Sequence, residues 1–133
     1  MNLRTVVIIG AATLLLAAAT AQAHHSFAGT YDVKKTVTIE GTLVGVQLRN
    51  PHSFVQIETR DANGQTQTWA AEWSGLPQLA GAGITAHTLK VGDPVIITGN
   101  PARTPGLTKL RMVTFKRTSD GFTWGDKPRE VVD

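Results

Sequence analysis

The sequence predicts an all-β fold, a small five-stranded OB-like Greek-key barrel with one short helical segment between the third and fourth strands. Three observations predict it. Five stretches carrying β-branched or aromatic residues are separated by clusters of Gly, Pro and Asn. The first and longest stretch changes the parity of its apolar positions once, as a strand does where it coils to close a small barrel. Between the third and fourth stretches the apolar spacing turns helical for a few residues.

The first strand is expected within residues 34–50. Val37 and Ile39 place apolar side chains on odd positions, whereas Val44, Val46 and Leu48 place them on even ones. The slip falls near residues 41–43, and Gly41 or Gly45 is where the backbone can absorb an extra residue. Asn50-Pro51 ends this strand. Residues 53–59 resume as a second one, with Val55 and Ile57 alternating against Gln56 and Glu58. Asp61-Ala62-Asn63-Gly64 is a tight-turn cluster in which Asn-Gly supplies the positive backbone angles of a hairpin. Residues 65–73 return as the third strand, with Trp69, Ala71 and Trp73 on one face and Thr68, Ala70 and Glu72 on the other.

Gly75, Pro77, Gly81 and Gly83 break up any long strand in the next stretch, while Leu76, Leu79 and Ala80 sit at helical spacing. This predicts a short helix over residues 77–82, with Pro early and Gly at its end. Residues 94–99 form the fourth strand, residues 100–106 read as a loop because of Pro101 and Pro105, and residues 108–116 form the fifth. The segment 119–133 reads as an irregular tail in which Phe122 and Trp124 pack back on the domain. An SH3-like barrel is the nearest rival, and the helical insert favours the OB-like order.

Ahead of the barrel, Met1 to Arg4 is a short basic segment, followed by an apolar run over residues 6–19 and small residues at Ala21 and Ala23. This is the layout of a secretory signal over residues 1–23, cut after Ala23. An uncleaved membrane anchor is the rival, because no charge occurs between Arg4 and His24; Gly10 and Thr13 interrupt the run and favour cleavage. Without a cysteine, a lipid anchor on that residue is excluded, as are a disulfide framework and thiolate ligands. A cut after Ala23 removes 23 of the 133 residues and one arginine, which lowers the formal net charge from +3 to +2. So weak a field in a periplasmic protein gives no support to nucleic-acid binding, and no stable membrane insertion is expected after cleavage. The expected layout is therefore an arm over residues 24–33, one barrel domain over residues 34–118 and the tail.

The mature protein has four histidines: His24, His25, His52 and His87. A terminal His24 binds metal through its amine and its ring together, and a further imidazole from His25 or His52 completes an arrangement suited to copper. His52 is attractive because Asn50-Pro51-His52 is a rigid corner between strands. Against this, a lone histidine more commonly caps or hydrogen-bonds its own corner, and a His-His terminus picks up metal adventitiously. Zinc is disfavoured by the missing cysteines and by the absence of any His-x-x-x-His spacing. His87 lies in a Gly-rich loop and is expected in solvent. The tripeptide His-Ser-Phe occurs at residues 25–27 and 52–54, which suggests related local settings for the two copies.

Enzymatic motifs are missing: no Gly-x-Ser-x-Gly elbow, no phosphate-cradling glycine loop, no cysteine nucleophile. Glu72, between Trp69 and Trp73, is the one carboxylate in an aromatic setting. Burial there would raise its pKa, and the plainer reading is a solvent-face strand residue. Arg49, Arg60, Arg103, Lys109 and Arg111 form either a basic ligand face or an ordinary solvated one.

Taken together, His25-Ser26-Phe27-Ala28, Asn50-Pro51-His52, Trp69-x-x-Glu72, Gly92-Asp93-Pro94-Val95 with Gly99, and Pro101-Ala102 resemble a family of short exported bacterial proteins of unknown function. The resemblance spans nearly all of residues 24–118. It implies export and a small barrel, and it carries no activity, cofactor or catalytic residue. In that pattern the first histidine stands close to the mature start, which favours His25 and His52 over His24 as ligands. The expected function is that of a non-enzymatic periplasmic protein binding copper through His24, His25 and His52. The alternative is an envelope module that contacts a peptide, glycan or protein partner through its barrel loops.

Overall fold

The computed structural model describes residues 27–125. The chain divides after Thr30 into two compact units, and of the first only residues 27–30 are described; they are helical. The second unit contains the strands β1 (Val37–Gln47), β2 (Phe54–Arg60), β3 (Thr66–Glu72), β4 (Pro94–Pro101), β5 (Lys109–Arg117) and β6 (Thr123–Gly125), with one helix, α1 (Leu76–Gly81), between β3 and β4.

β1 pairs antiparallel with β2 on one side and with β4 on the other. β2 and β3 form the expected hairpin, and β4 and β5 pair antiparallel. Parallel pairing of β3 with β5, through Ala70 with Lys109, Ala71 with Leu110 and Glu72 with Arg111, closes the five strands into a mixed barrel in the order β1-β2-β3-β5-β4. That closure and the helix between β3 and β4 give the OB-like barrel that the sequence predicts.

The parity slip in β1 is a bulge between Leu43 and Gly45. Before it, Ile39 and Leu43 are buried; after it, Val46 and Leu48 pack against the core while Val44 is left exposed. The bulge thus keeps apolar side chains inward on both halves of one coiled strand. Gly41 allows the coil, because a Cβ there would lie 2.1 Å from the Glu58 carbonyl oxygen.

Leu43, Val55, Ile57, Ala71, Ile97 and Leu110 are fully buried in the barrel core. Burying one large aliphatic side chain contributes about 1.5–3 kcal/mol. Leu79 of α1, with Ile84 and Leu89 after it, joins the same core, so the helical insert contributes to the packing between strands.

Two segments depart from expectation. Asn100 and Pro101, read as loop, extend β4: Asn100 is buried, its Nδ2 donates to the Lys35 carbonyl at 2.8 Å, and the Pro101 carbonyl accepts the Asp32 N–H at 2.9 Å. Within the segment read as an irregular tail, Thr123–Gly125 pairs with β5 as β6. Aromatic packing holds it there. Trp124 meets Trp73 edge to face at 5.2 Å, Phe122 meets Phe115 at 6.1 Å, and Trp73 stacks on Phe115 at 5.8 Å.

Candidate functional site

The corner between β1 and β2 is tied from within. Ser53 is fully buried; its Oγ accepts the Arg49 N–H at 3.0 Å and donates to the Arg49 carbonyl at 3.2 Å. The Asn50–Pro51 peptide bond is cis. Asn50 Oδ1 accepts the Leu76 N–H at 2.9 Å and so satisfies a donor in the first turn of α1. Gly75 is required beside this corner, since a Cβ there would lie 2.5 Å from the Pro51 carbonyl oxygen. The Ser53 N–H donates to Ser74 at 3.1 Å and the Ser53 carbonyl accepts from Trp73 at 2.7 Å. These bonds fix the start of β2 against the end of β3.

That placement brings His52 to Glu72. Nδ1 of His52 contacts Oε1 of Glu72, while the other carboxylate oxygen, Oε2, accepts the Tyr31 hydroxyl and lies 3.6 Å from Lys109 Nζ. Tyr31 is 1% exposed and is anchored by a bridge to Ala102. Lys109 Nζ stands 5.6 Å from the Tyr31 ring centre and 5.3 Å from that of Phe54, the cross-strand partner of Glu72.

Glu72 is 9% exposed, so the solvent-face reading is corrected. Its side chain stands at the end of β3, where β2 and β5 flank it and Tyr31 covers it. The expected rise in its pKa is corrected as well. Burial does push the carboxyl up, but hydrogen bonds from Tyr31 and His52 and the charges of Lys109 and His52 outweigh burial and hold it below its ordinary value. The ionised carboxylate only accepts, so His52 donates to it through Nδ1–H. Tyr31 is shifted the other way: burial, then the hydrogen bond to Glu72 and its negative charge, raise the phenol far above its ordinary range, with Arg111 opposing.

A shallow depression of about 340 Å³ opens beside this cluster, lined by Arg49, Asn50, Pro51, His52, Phe54 and Glu72. The Arg49 guanidinium lies over the Phe54 ring at 5.0 Å. Of the basic residues singled out in the sequence, Arg49 and Lys109 thus share one aromatic ring, whereas Arg60 donates to the Gly64 carbonyl in the β2–β3 hairpin.

His24 and His25 lie outside the described residues, so of the three sequence-predicted ligands the barrel presents His52. Among the described residues no group of three or more His, Asp or Glu side chains is arranged to hold a metal. His87 is exposed, as expected. Of the first His-Ser-Phe copy only Phe27 is described; it is helical, whereas Phe54 of the second opens β2. Nothing in the sequence marks the Tyr31 hydroxyl as the partner of Glu72, 41 residues away. The available signal was the residue type itself, because a tyrosine brings a hydroxyl donor that a phenylalanine lacks.

The Asn-Pro-His and Trp-x-x-Glu motifs therefore meet in a single contact, His52 with Glu72. A family model described as a family of unknown function (DUF6152) matches residues 12–110, and the chain belongs to that family. No curated protein and no solved structure matches the chain.

Proposed function

We propose that this member of the family is an exported binding protein, cut after Ala23 in the periplasm, that takes up a copper ion through His52 and the histidines of the mature terminus. The observation that carries the reading is the Glu72–His52 contact. An imidazole that donates one ring N–H to a carboxylate has its tautomer and orientation fixed and its other nitrogen made more basic, which is the usual state of a metal-ligating histidine. The tied corner at residues 49–53 supports the same reading, because it holds that imidazole on rigid backbone.

In this reading His24 supplies an amine and a ring nitrogen and His25 or His52 a further imidazole, a nitrogen-rich set that copper favours over other divalent first-row metals. The role is binding, with no reaction assigned.

The test is to express the precursor, confirm by mass that the terminus is His24, and titrate copper into wild type and His52→Ala. Wild type should bind more tightly than both the variant and a free His-His-Ser peptide. Equal affinity in all three would overturn the proposal.

A further inference from the structure

Arg49 differs from the other well-fixed cations of the described barrel. Lys109 is committed to Glu72, and Arg117 to Asp93 at 3.1 Å and to Asp120 at 2.7 Å. Arg49 forms no ion pair among the described residues. Its backbone is held at both N–H and carbonyl by Ser53, and its guanidinium is placed over Phe54. A guanidinium over an aromatic ring is poorly hydrated on that side and keeps a planar fork of N–H donors, the geometry that matches a carboxylate with two parallel hydrogen bonds.

The depression that Arg49 borders has the rest of such a site. Phe54 and Pro51 offer apolar surface, and Asn50 and His52 supply polar edges. The one acid in the lining is Glu72. Its side chain is only 11% exposed, and its oxygens are engaged by Tyr31, His52 and Lys109, so it presents little free charge to an incoming anion. The space of about 340 Å³ is at the lower end of the range for small-ligand sites, about 300–1,000 Å³.

We propose that this depression binds the carboxylate of a small organic molecule, with Arg49 pairing with the carboxylate and Phe54 packing against the apolar group next to it. The proposal does not rest on the copper reading and is tested on metal-free protein. A carboxylate of this kind occurs on a free organic acid and at the C-terminus of a peptide, and the test separates the two.

The experiment is an NMR titration of the full mature protein with N-acetyl-leucine, its amide N-acetyl-leucinamide, a tripeptide with a free C-terminus, citrate and inorganic phosphate. Saturable shifts at Arg49, Phe54 and His52 are expected with the carboxylates and not with the amide. Arg49→Gln should weaken binding at least about tenfold, and Arg49→Lys, which keeps the charge and loses the fork, should weaken it by less. Arg49 is exposed, so both variants should keep the native spectrum. Tighter binding of the tripeptide than of citrate assigns the site to chain ends, and the reverse assigns it to free acids. Shifts from the amide as large as those from the acid, phosphate binding as tight as carboxylate binding, or affinity unchanged in Arg49→Gln would each overturn the proposal.

Discussion

The Tyr31 hydroxyl donates to Oε2 of Glu72 across 41 residues of sequence, and it is one of the contacts that cover a strand carboxylate on the outside of the barrel. Tyr31→Phe keeps the ring and its packing and removes the donor to an ionised group. A loss of about 1.5–3 kcal/mol is expected. It should appear in urea unfolding as a lower midpoint with an unchanged slope.

The same cluster sets two pH dependences. The native pKa of Glu72 lies below its ordinary value of 4.5, so below that pH the unfolded chain binds the proton first and stability falls as pH drops. Glu72→Gln should flatten the decline in unfolding midpoint as pH falls below the ordinary value of 4.5. Tyr31 is raised above its ordinary 10.0, so its contribution is intact below that pH and is lost as pH rises beyond it. Because Tyr31 is the only tyrosine in the sequence, phenolate absorbance reports it alone. In wild type the signal should emerge only with alkaline unfolding; emergence at ordinary tyrosine pH in the folded protein would contradict the buried hydrogen bond.

The proposed copper binding, if it occurs through His52, gives a separate handle on Glu72. Replacing the carboxylate that orients a ligating histidine typically costs about 10–100-fold in metal affinity. Glu72→Gln should therefore weaken copper binding by a factor in that range, while a free His-His-Ser peptide provides the floor. An unchanged affinity would mean that His52 is held by Glu72 for structure alone.

Barrel closure can be tested at Gly41. A methyl group there would meet the Glu58 carbonyl oxygen at 2.1 Å, with the Ile57 side chain at 3.1 Å. Gly41→Ala must push β1 and β2 apart and should destabilise by about 1–3 kcal/mol, as overpacking does. Thermal unfolding of the variant measures this directly. Gly64→Ala, in the open hairpin turn at φ 77, serves as a comparison whose cost is one of backbone conformation.

Much of the fold was legible because its causes are local. Alternation of Val55 and Ile57, the Asn63-Gly64 turn and the Trp69-Ala71-Trp73 face mark the hairpin without reference to any distant residue. The parity change between Ile39 and Val46 marks the bulge for the same reason. Residues 123–125 gave no such signal, since three residues are too few for a period and their strand state depends on Trp124 finding Trp73 and on the open edge of β5. The site was legible in part: His52 and Glu72 were each singled out, but as separate residues.

By itself, the sequence determined five strands, a coiled first strand, a helical insert and a stiff corner carrying a histidine. These follow from backbone preferences and from the need to keep apolar side chains on one face. Only the tertiary structure decided that β3 lies parallel to β5 and that Tyr31 lies over the end of β3. The pairing of His52 with Glu72, 20 residues apart, is of the same kind. The physical reason is that a carboxylate's environment is set by what the closed barrel brings to it. Alternation along β3 places Glu72 on the outer face, and chain segments from residues 31, 52 and 109 then bury it and keep it charged.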